Sequence, residues 1–403
     1  MAEASESKSE QVEEKHRNRL VAFVLDDHPY VILGTSAVAF FGMLLSSSSR
    51  PELSFLANVY ELEVVMYYIL VAWLVVAAVA LVNKLLRWDT YAETSPFTKP
   101  AAKKALRYGS YVVWVITAVL VVDRWVMGFA SAWQVAVTAE SRPTDSTLES
   151  ILYIFYQGRE IFLTGIVTTI EIAVFGTLIA FFLALLLVFV RIQTIDRPDN
   201  DFVRFWKRVG VGFAKVYSTV VRGTPMMVQA GIIYYGIIAV LRAWGLSTSE
   251  INTVWSPFIA GLVTVSLNST AYMMEVLRGG IESVDKGQTE AARSLGLSQW
   301  QTMTKVVFPQ GIKYAIPGLS NELVINIKDS SVLSVIGTFD LMFASTTVAG
   351  IYYQSFQSNL IAAVFYLILT MVASALLGRF AKHFDVKAEP LGSSSDQNIP
   401  LDE

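Results

Sequence analysis

Residues 285–309 read Asp285-Lys-Gly-Gln-Thr-Glu290-Ala291-Ala292-Arg-Ser-Leu-Gly296-Leu-Ser298-Gln-Trp-Gln301-Thr-Met-Thr-Lys-Val-Val-Phe-Pro309. Asp285 is placed to cap a helix, with Gln288 three residues on as its reciprocal partner. Ala291, Ala292 and Leu295 fall on one side of that short helix. Gly296 suits its end, where a left-handed residue is wanted. Ser298 with Gln301 is a second capping pair, which starts another helix, and Pro309 disfavours its continuation. The expectation is two short helices at an angle, with a small apolar face able to seat in a groove on another protein. A plain amphipathic linker between two helices is the competing reading.

Outward from this segment, the chain is dominated by apolar runs. Crossing a bilayer takes about 20 apolar helical residues. Eight stretches qualify, at about 30–46, 62–83, 110–130, 161–190, 224–241, 257–277, 317–337 and 358–378. The fold class expected is an all-α membrane protein with about eight transmembrane helices. Composition agrees: of 403 residues 54% are hydrophobic and 16% charged, where a soluble domain carries about 25% charged residues. That argues against an ordinary soluble enzyme, and against disorder over most of the chain. A net charge of -3 offers no basic field for nucleic acid. Cysteine is absent, and His16, His28 and His383 lie outside the apolar runs, so no metal centre is expected.

Lys and Arg collect on the cytoplasmic side of membrane proteins. With the N-terminus inside, the segments 1–29, 84–109, 191–217, 278–315 and 379–403 face the cytoplasm and hold 24 of the 31 Lys and Arg. The outward segments 47–61, 131–160, 242–256 and 338–357 hold four, and Arg124, Arg222 and Lys328 lie in or beside spans. Both termini are therefore expected inside. The chain divides into a tail at 1–29, a three-span extension at 30–130, an extracytoplasmic linker loop at 131–160, a five-span section at 161–384 and a tail at 385–403.

The pattern Glu290-Ala291-Ala292, Gly296 and Val306-x-Phe308-Pro309 resembles the EAA loop of ABC importer permeases, with Val and Phe where Ile and Leu are usual. Three further segments resemble the polar amino acid branch of that family, the His/Glu/Gln/Arg-type permeases. They are Arg222-Gly-Thr-Pro-Met-Met-Val-Gln229, the stretch from Ala271 to Gln288, and Lys328-Asp-Ser-Ser-Val-Leu-Ser-Val-Ile-Gly337. The resemblance covers about 160–384. It implies a type I importer-like core whose coupling residues are Glu290, Ala291, Ala292, Gly296, Ser298 and Pro309. It also implies separate ATPase subunits carrying ATP-Mg, a second permease subunit, an extracytoplasmic amino-acid-binding protein, and an amino acid as substrate. No cofactor is implied in this chain, and no Gly-x-x-x-x-Gly-Lys-Ser/Thr phosphate loop is present. The three front spans are extra to the usual five.

Thr224-Pro225 fits a helix start, with Thr as cap and Pro at the first helical position. Arg222 either holds lipid phosphates or fixes the angle of the following span. Asn268, Tyr272 and Glu275 follow i, i+4, i+7 spacing and share one face. Polar groups facing lipid are costly, so this face points inward, either to line a path or to bond between helices. Asp329 is the fourth path candidate; Lys328 beside it either neutralises it or leaves it facing a substrate ammonium. Glu171 reads as an interior partner, with Lys328 the candidate. Asp123 and Arg124 either pair locally or reach the outer interface. A gradient-driven secondary transporter using Glu171, Glu275 and Asp329 is the alternative function, and a non-transporting scaffold the third.

Overall fold

The computed structural model describes residues 34–87, 90–144, 146–195 and 199–383. The expected tails 1–29 and 385–403, and the start of the first expected span, lie outside the described residues. Every regular element among the described residues is helical. Two compact units divide the chain between Tyr153 and Ile154.

The first unit contains α1 (Thr35–Ser46), α2 (Tyr60–Leu86), α3 (Pro100–Val121) and α4 (Met127–Thr138). At 12 residues, α1 spans about 18 Å, short of a bilayer crossing. The expected first span is thus not a full one over the described residues. A π turn at Val122–Val126 joins α3 to α4 without a break in the helical run. Ala39, Leu70, Val113 and Leu120 form the centre of its core. Beside that core, Asp123, Arg124 and Glu63 are all buried. Arg124 bridges Asp123 and Glu63. Ser54 Oγ donates to both Asp123 oxygens at 3.0 and 2.8 Å, and the Leu56 amide donates at 3.1 Å. Arg50 Nε donates to Glu63 Oε2 at 3.0 Å. Of the two readings of Asp123 and Arg124, local pairing holds, widened to a network.

The second unit begins within α5 (Thr147–Arg191). Its 45 residues run about 67 Å, so most of the expected linker 131–160 is in fact helix: α4 takes 131–138 and α5 takes 147–160. Next come α6 (Asp201–Gly223), α7 (Met226–Ala243), α8 (Thr248–Val254) and α9 (Pro257–Glu282). Then follow α10 (Lys286–Ser294), α11 (Gln299–Thr302), α12 (Phe308–Asp329), α13 (Leu341–Tyr352) and α14 (Ser355–His383). Five helical runs are long and apolar enough to cross a membrane: 55–86, 100–138, 147–191, 226–243 and 355–379. The run 299–336 with α13 passes as one bent pair. Helix α9 has the length, at 26 residues, but Ser266, Asn268, Ser269, Thr270, Glu275 and Arg278 lower its apolar average. The eight expected spans are thus an approximate count.

Three segments expected only to connect spans contain helices. In 191–217, α6 shows an apolar row of Phe202, Phe205, Trp206, Val209, Phe213, Val216 and Val220 turned outward, while Ala214 and Ser218 turn in. In 242–256, α8 starts with a capping box between Ser247 and Glu250. In 338–357, α13 turns back by 53° from the preceding run. Asp340 caps α13, accepting from the Phe343 amide at 2.9 Å and from Tyr366 O–H at 3.2 Å. The Leu341 amide donates to Thr169 Oγ1 at 3.0 Å, tying the turn to α5.

The centre of the second unit is the pair α9 and α12. A Cβ on Gly280 would lie 2.5 Å from the Gly311 carbonyl oxygen, and one on Gly311 would lie 2.8 Å from Ile281 Cα. These two glycines let the backbones touch, the small-residue contact by which helices associate in lipid. Ala180 and Ala184 of α5 join the same buried cluster with Met273, Met274 and Leu277.

Candidate functional site

The segment 285–309 folds largely as its residues require. Asp285 caps α10, its Oδ1 accepting from the Gly287 amide at 2.7 Å. The pair to Gln288 is a backbone bond to the Asp285 carbonyl at 3.0 Å, not a reciprocal side-chain cap. Gly296 has φ +84°, in the left-handed region. Its amide donates to Arg293 O at 3.0 Å, and the Leu297 amide to Ala292 O at 3.2 Å. That pair of bonds is the Schellman stop. Ser298 and Gln301 form a full capping box, at 3.2 and 2.8 Å.

Two features depart from expectation. Ala292 is buried, and α10 packs on the turn Met303–Val307. The outward apolar surface is therefore Ala291 and Leu295, the latter 81% exposed. Pro309 does not end the second helix: α11 passes through a π turn at Met303–Val307 directly into α12. Proline lacks an amide and crowds the carbonyl four residues back. The wider π turn immediately before it absorbs both defects, and Pro309 sits in the first turn of α12. The second short helix is thus the root of a long one. Phe189 of α5 holds the junction, with ring centroids 4.7 Å from Phe308 and 6.0 Å from Trp300.

Asn268, Tyr272 and Glu275 do share a face of α9, turned towards α6 and α7. Asn268 Nδ2 donates to Gln229 Oε1 at 3.0 Å. Gln229 Nε2 in turn donates to Val221 O at 2.7 Å, Thr224 O at 3.0 Å and Thr224 Oγ1 at 2.8 Å. Gln229 therefore closes the gap between α6 and α7. Thr224 is not the cap expected for α7: its hydroxyl donates back to Val220 O at 2.9 Å, and Pro225 itself occupies the cap position. Arg222 stands 5.4 Å from the Tyr272 ring centroid. Glu275 accepts from Ser218 Oγ at 3.2 Å and from Arg278 Nε at 2.7 Å, and lies 3.8 Å from Arg191 Nε. Tyr272 and Glu275 line a cavity of about 410 Å³ with Arg191, Lys215, Ser218, Thr219, Arg222 and Gly223. Asn268 and Asp329 are not among its walls.

Asp329 ends α12 and is half-buried, while Lys328 is exposed. No ion pair joins them among the described residues, and none joins Glu171 to Lys328. Lys328 therefore acts on Asp329 through its charge without direct contact, and the Glu171 partnership is not seen. Glu322 and Asn326, which sequence reasoning passed over, share a face with Asp329. Both are buried. Asn326 accepts from Ser269 Oγ and donates to Thr177 Oγ1, each at 2.8 Å, joining α9, α12 and α5. Glu322, Asn326 and Asp329 repeat the i, i+4, i+7 spacing of Asn268, Tyr272 and Glu275, and that signal was open to reading.

Residues 207–389 match the family described as binding-protein-dependent transport system inner membrane component. The match starts inside α6 and takes in the segment 285–309 and all four path candidates. The putative glutamine transport system permease protein GlnP of Rickettsia typhi is 33% identical over 220 residues, 55% of this chain and 91% of that one. The L-cystine transport system permease protein TcyL of Bacillus subtilis is 38% identical over 173 residues, 43% of this chain and 66% of that one. A solved amino acid ABC transporter crystallised with histidines is 31% identical, with a TM-score of 0.49 over 60% of this chain and 100% of that one. With one relative covered almost end to end at this identity, the chain belongs to the inner-membrane components of binding-protein-dependent transport systems.

Proposed function

We propose that this chain is the permease subunit through which a polar amino acid enters the cell, powered by a separate ATPase. The observation that carries the reading is the placement of α10. It is an exposed short helix fixed at both ends, by Asp285 and by Gly296. It follows α9 after a turn of three residues on one side and leads through α11 into α12 on the other. These two helices bear every path candidate and touch through Gly280 and Gly311. A push on α10 is thereby passed to the helices that carry Asn268, Tyr272, Glu275 and Asp329.

In this reading Glu290, Ala291, Leu295 and the Gly296 stop meet the ATPase, while Ala292, Ser298 and Pro309 hold the segment in shape. ATP and Mg bind to that partner. A second permease subunit completes the path, and a binding protein delivers substrate at the opposite face. Relatives named for glutamine and for cystine support a polar amino acid as substrate. The 24 to four split of basic residues supports the coupling segment and both termini on the cytoplasmic side.

The test is Gly296→Val in a reconstituted complex. A β-branched residue at φ +84° is strained by about 1–2 kcal/mol. Uptake of labelled amino acid and retention of the ATPase should both fall, with the chain still folded in detergent. Unchanged uptake and retention would overturn the docking assignment. Uptake that survives ATP depletion but stops with an uncoupler would move the chain to the gradient-driven class.

A further inference from the structure

The cavity between α5, α6 and α9 carries three cations, Arg191, Lys215 and Arg222, against one carboxylate, Glu275. That carboxylate is already engaged by Arg278, Ser218 and Arg191. Arg278 is itself shared with Glu282, at 2.5 Å. Two of the wall hydroxyls are occupied too: Ser218 donates to Glu275, and Thr219 donates to Lys215 O at 2.8 Å. The charged ends of Lys215 and Arg222 have no hydrogen bond or ion pair among the described residues. Arg222 is instead positioned by the Tyr272 ring. Arg191 Nε is buried without a hydrogen-bond partner. What the cavity offers is positive donors, so its complement is a negatively charged acceptor.

We propose that this cavity is a binding site for an oxyanion, held by Lys215, Arg222 and Arg191. The ligand is the carboxylate of an amino acid leaving the path, or the phosphate of a lipid headgroup. A volume of about 410 Å³ accommodates either group, and guanidinium and ammonium donors grip oxyanions through charge-assisted bonds. Location gives the site a role. Arg191 is the last residue of α5, and three residues on Thr194 Oγ1 accepts from Gln299 Nε2 of the coupling segment at 2.7 Å. Glu282, which shares Arg278 with Glu275, lies three residues before Asp285. Motion of α10 and α11 therefore reaches both sides of the site, so that occupancy and coupling influence each other. This deepens the proposed function, and only the amino acid source of the anion rests on it.

The experiment is protection of Lys215 from amine acetylation, read by peptide mass analysis. The full chain is used with its copurified ATPase, in maltoside micelles freed of phospholipid. Probes are a mixture of free amino acids, the same mixture as carboxyl amides, and phosphatidylglycerol added to the micelles. Free amino acids or phosphatidylglycerol should slow acetylation several-fold; the amides should not. Arg222→Gln should raise the half-protecting concentration about ten-fold, the loss of one charge-assisted bond, and Arg222→Lys should restore part of it. Protection by free amino acids names the carboxylate, and protection by phosphatidylglycerol alone names the phosphate. Protection by neither, protection by the amides equally, or an Arg222→Gln variant with unchanged protection would overturn the site. Uptake measured with the same purified complex reconstituted into sealed proteoliposomes separates the two claims. Transport with Lys215 unprotected sinks only the anion site, while lipid protection in a complex that moves no amino acid sinks only the proposed function.

Discussion

Arg124 in the first unit and Arg222 in the second are both cations in helices of a membrane protein, yet their surroundings differ. Arg124 is buried between Asp123 and Glu63, and Glu63 is further bonded by Arg50 and Ser46. Two cations meet two carboxylates and the set is neutral. Arg222 faces a ring and an open cavity in which cations outnumber carboxylates three to one. Charge matched inside a fold serves the fold. Charge left unmatched beside a cavity has stability to gain only from something that arrives. That contrast separates a charge set that is complete in the first unit from one in the second that the proposed anion would complete.

The contrast breaks most sharply at Arg124. Arg124→Met leaves the buried Asp123 without a cation and Glu63 with Arg50 alone, and should cost about 3–5 kcal/mol, whereas Lys215→Met in the cavity should stay within about 0.5 kcal/mol. Thermal unfolding in detergent measures both, and similar costs would erase the distinction. Next in size is the crossing of α9 and α12. Gly280→Val drives a side chain into the Gly311 carbonyl and should cost at least about 1–3 kcal/mol. Gly279→Ala, with nothing within 4 Å, should be nearly silent. Asn326→Ala removes the bonds to Ser269 and Thr177 and should cost about 1 kcal/mol. The smallest effect belongs to the box at α8. Bonds from the Ser247 hydroxyl and amide hold the Glu250 carboxyl below the usual range. A lowered folded value means the contribution is present above the ordinary carboxylate range and is lost as pH falls through the folded value. Protection factors of the amides across 248–254, corrected for the intrinsic pH dependence of exchange, should thus fall on acidification in the native chain, and Glu250→Gln should flatten that response.

Much of this was legible in the sequence, and the failures share causes. Asp285, Gly296, Ser298 and Gln301 act through local geometry, and local geometry is written in the chain. The loop readings failed where charge hid periodicity. In 191–217 the six Lys and Arg that serve the topology argument lie among Phe202, Trp206, Val209, Phe213 and Val216, spaced three or four apart as a helix requires. Helix α13 was hidden because its cap, Asp340, becomes informative only when Tyr366 and Phe343 close on it. Pro309 was read by the usual rule for proline, and the π turn before it suspends that rule. Glu322 and Asn326 were missed for want of applying to α12 the spacing already applied to α9.

The π turn at Met303–Val307 has a consequence for phase. One residue more than an α-turn is wound into the shaft between α11 and the row Glu322, Asn326, Asp329. Each helical residue advances the side-chain direction by about 100°. Deleting a single residue between 303 and 307 would restore a plain helix and swing that row away from α9 and α5. The shaft would stay straight and α10 intact, with the two ends out of step.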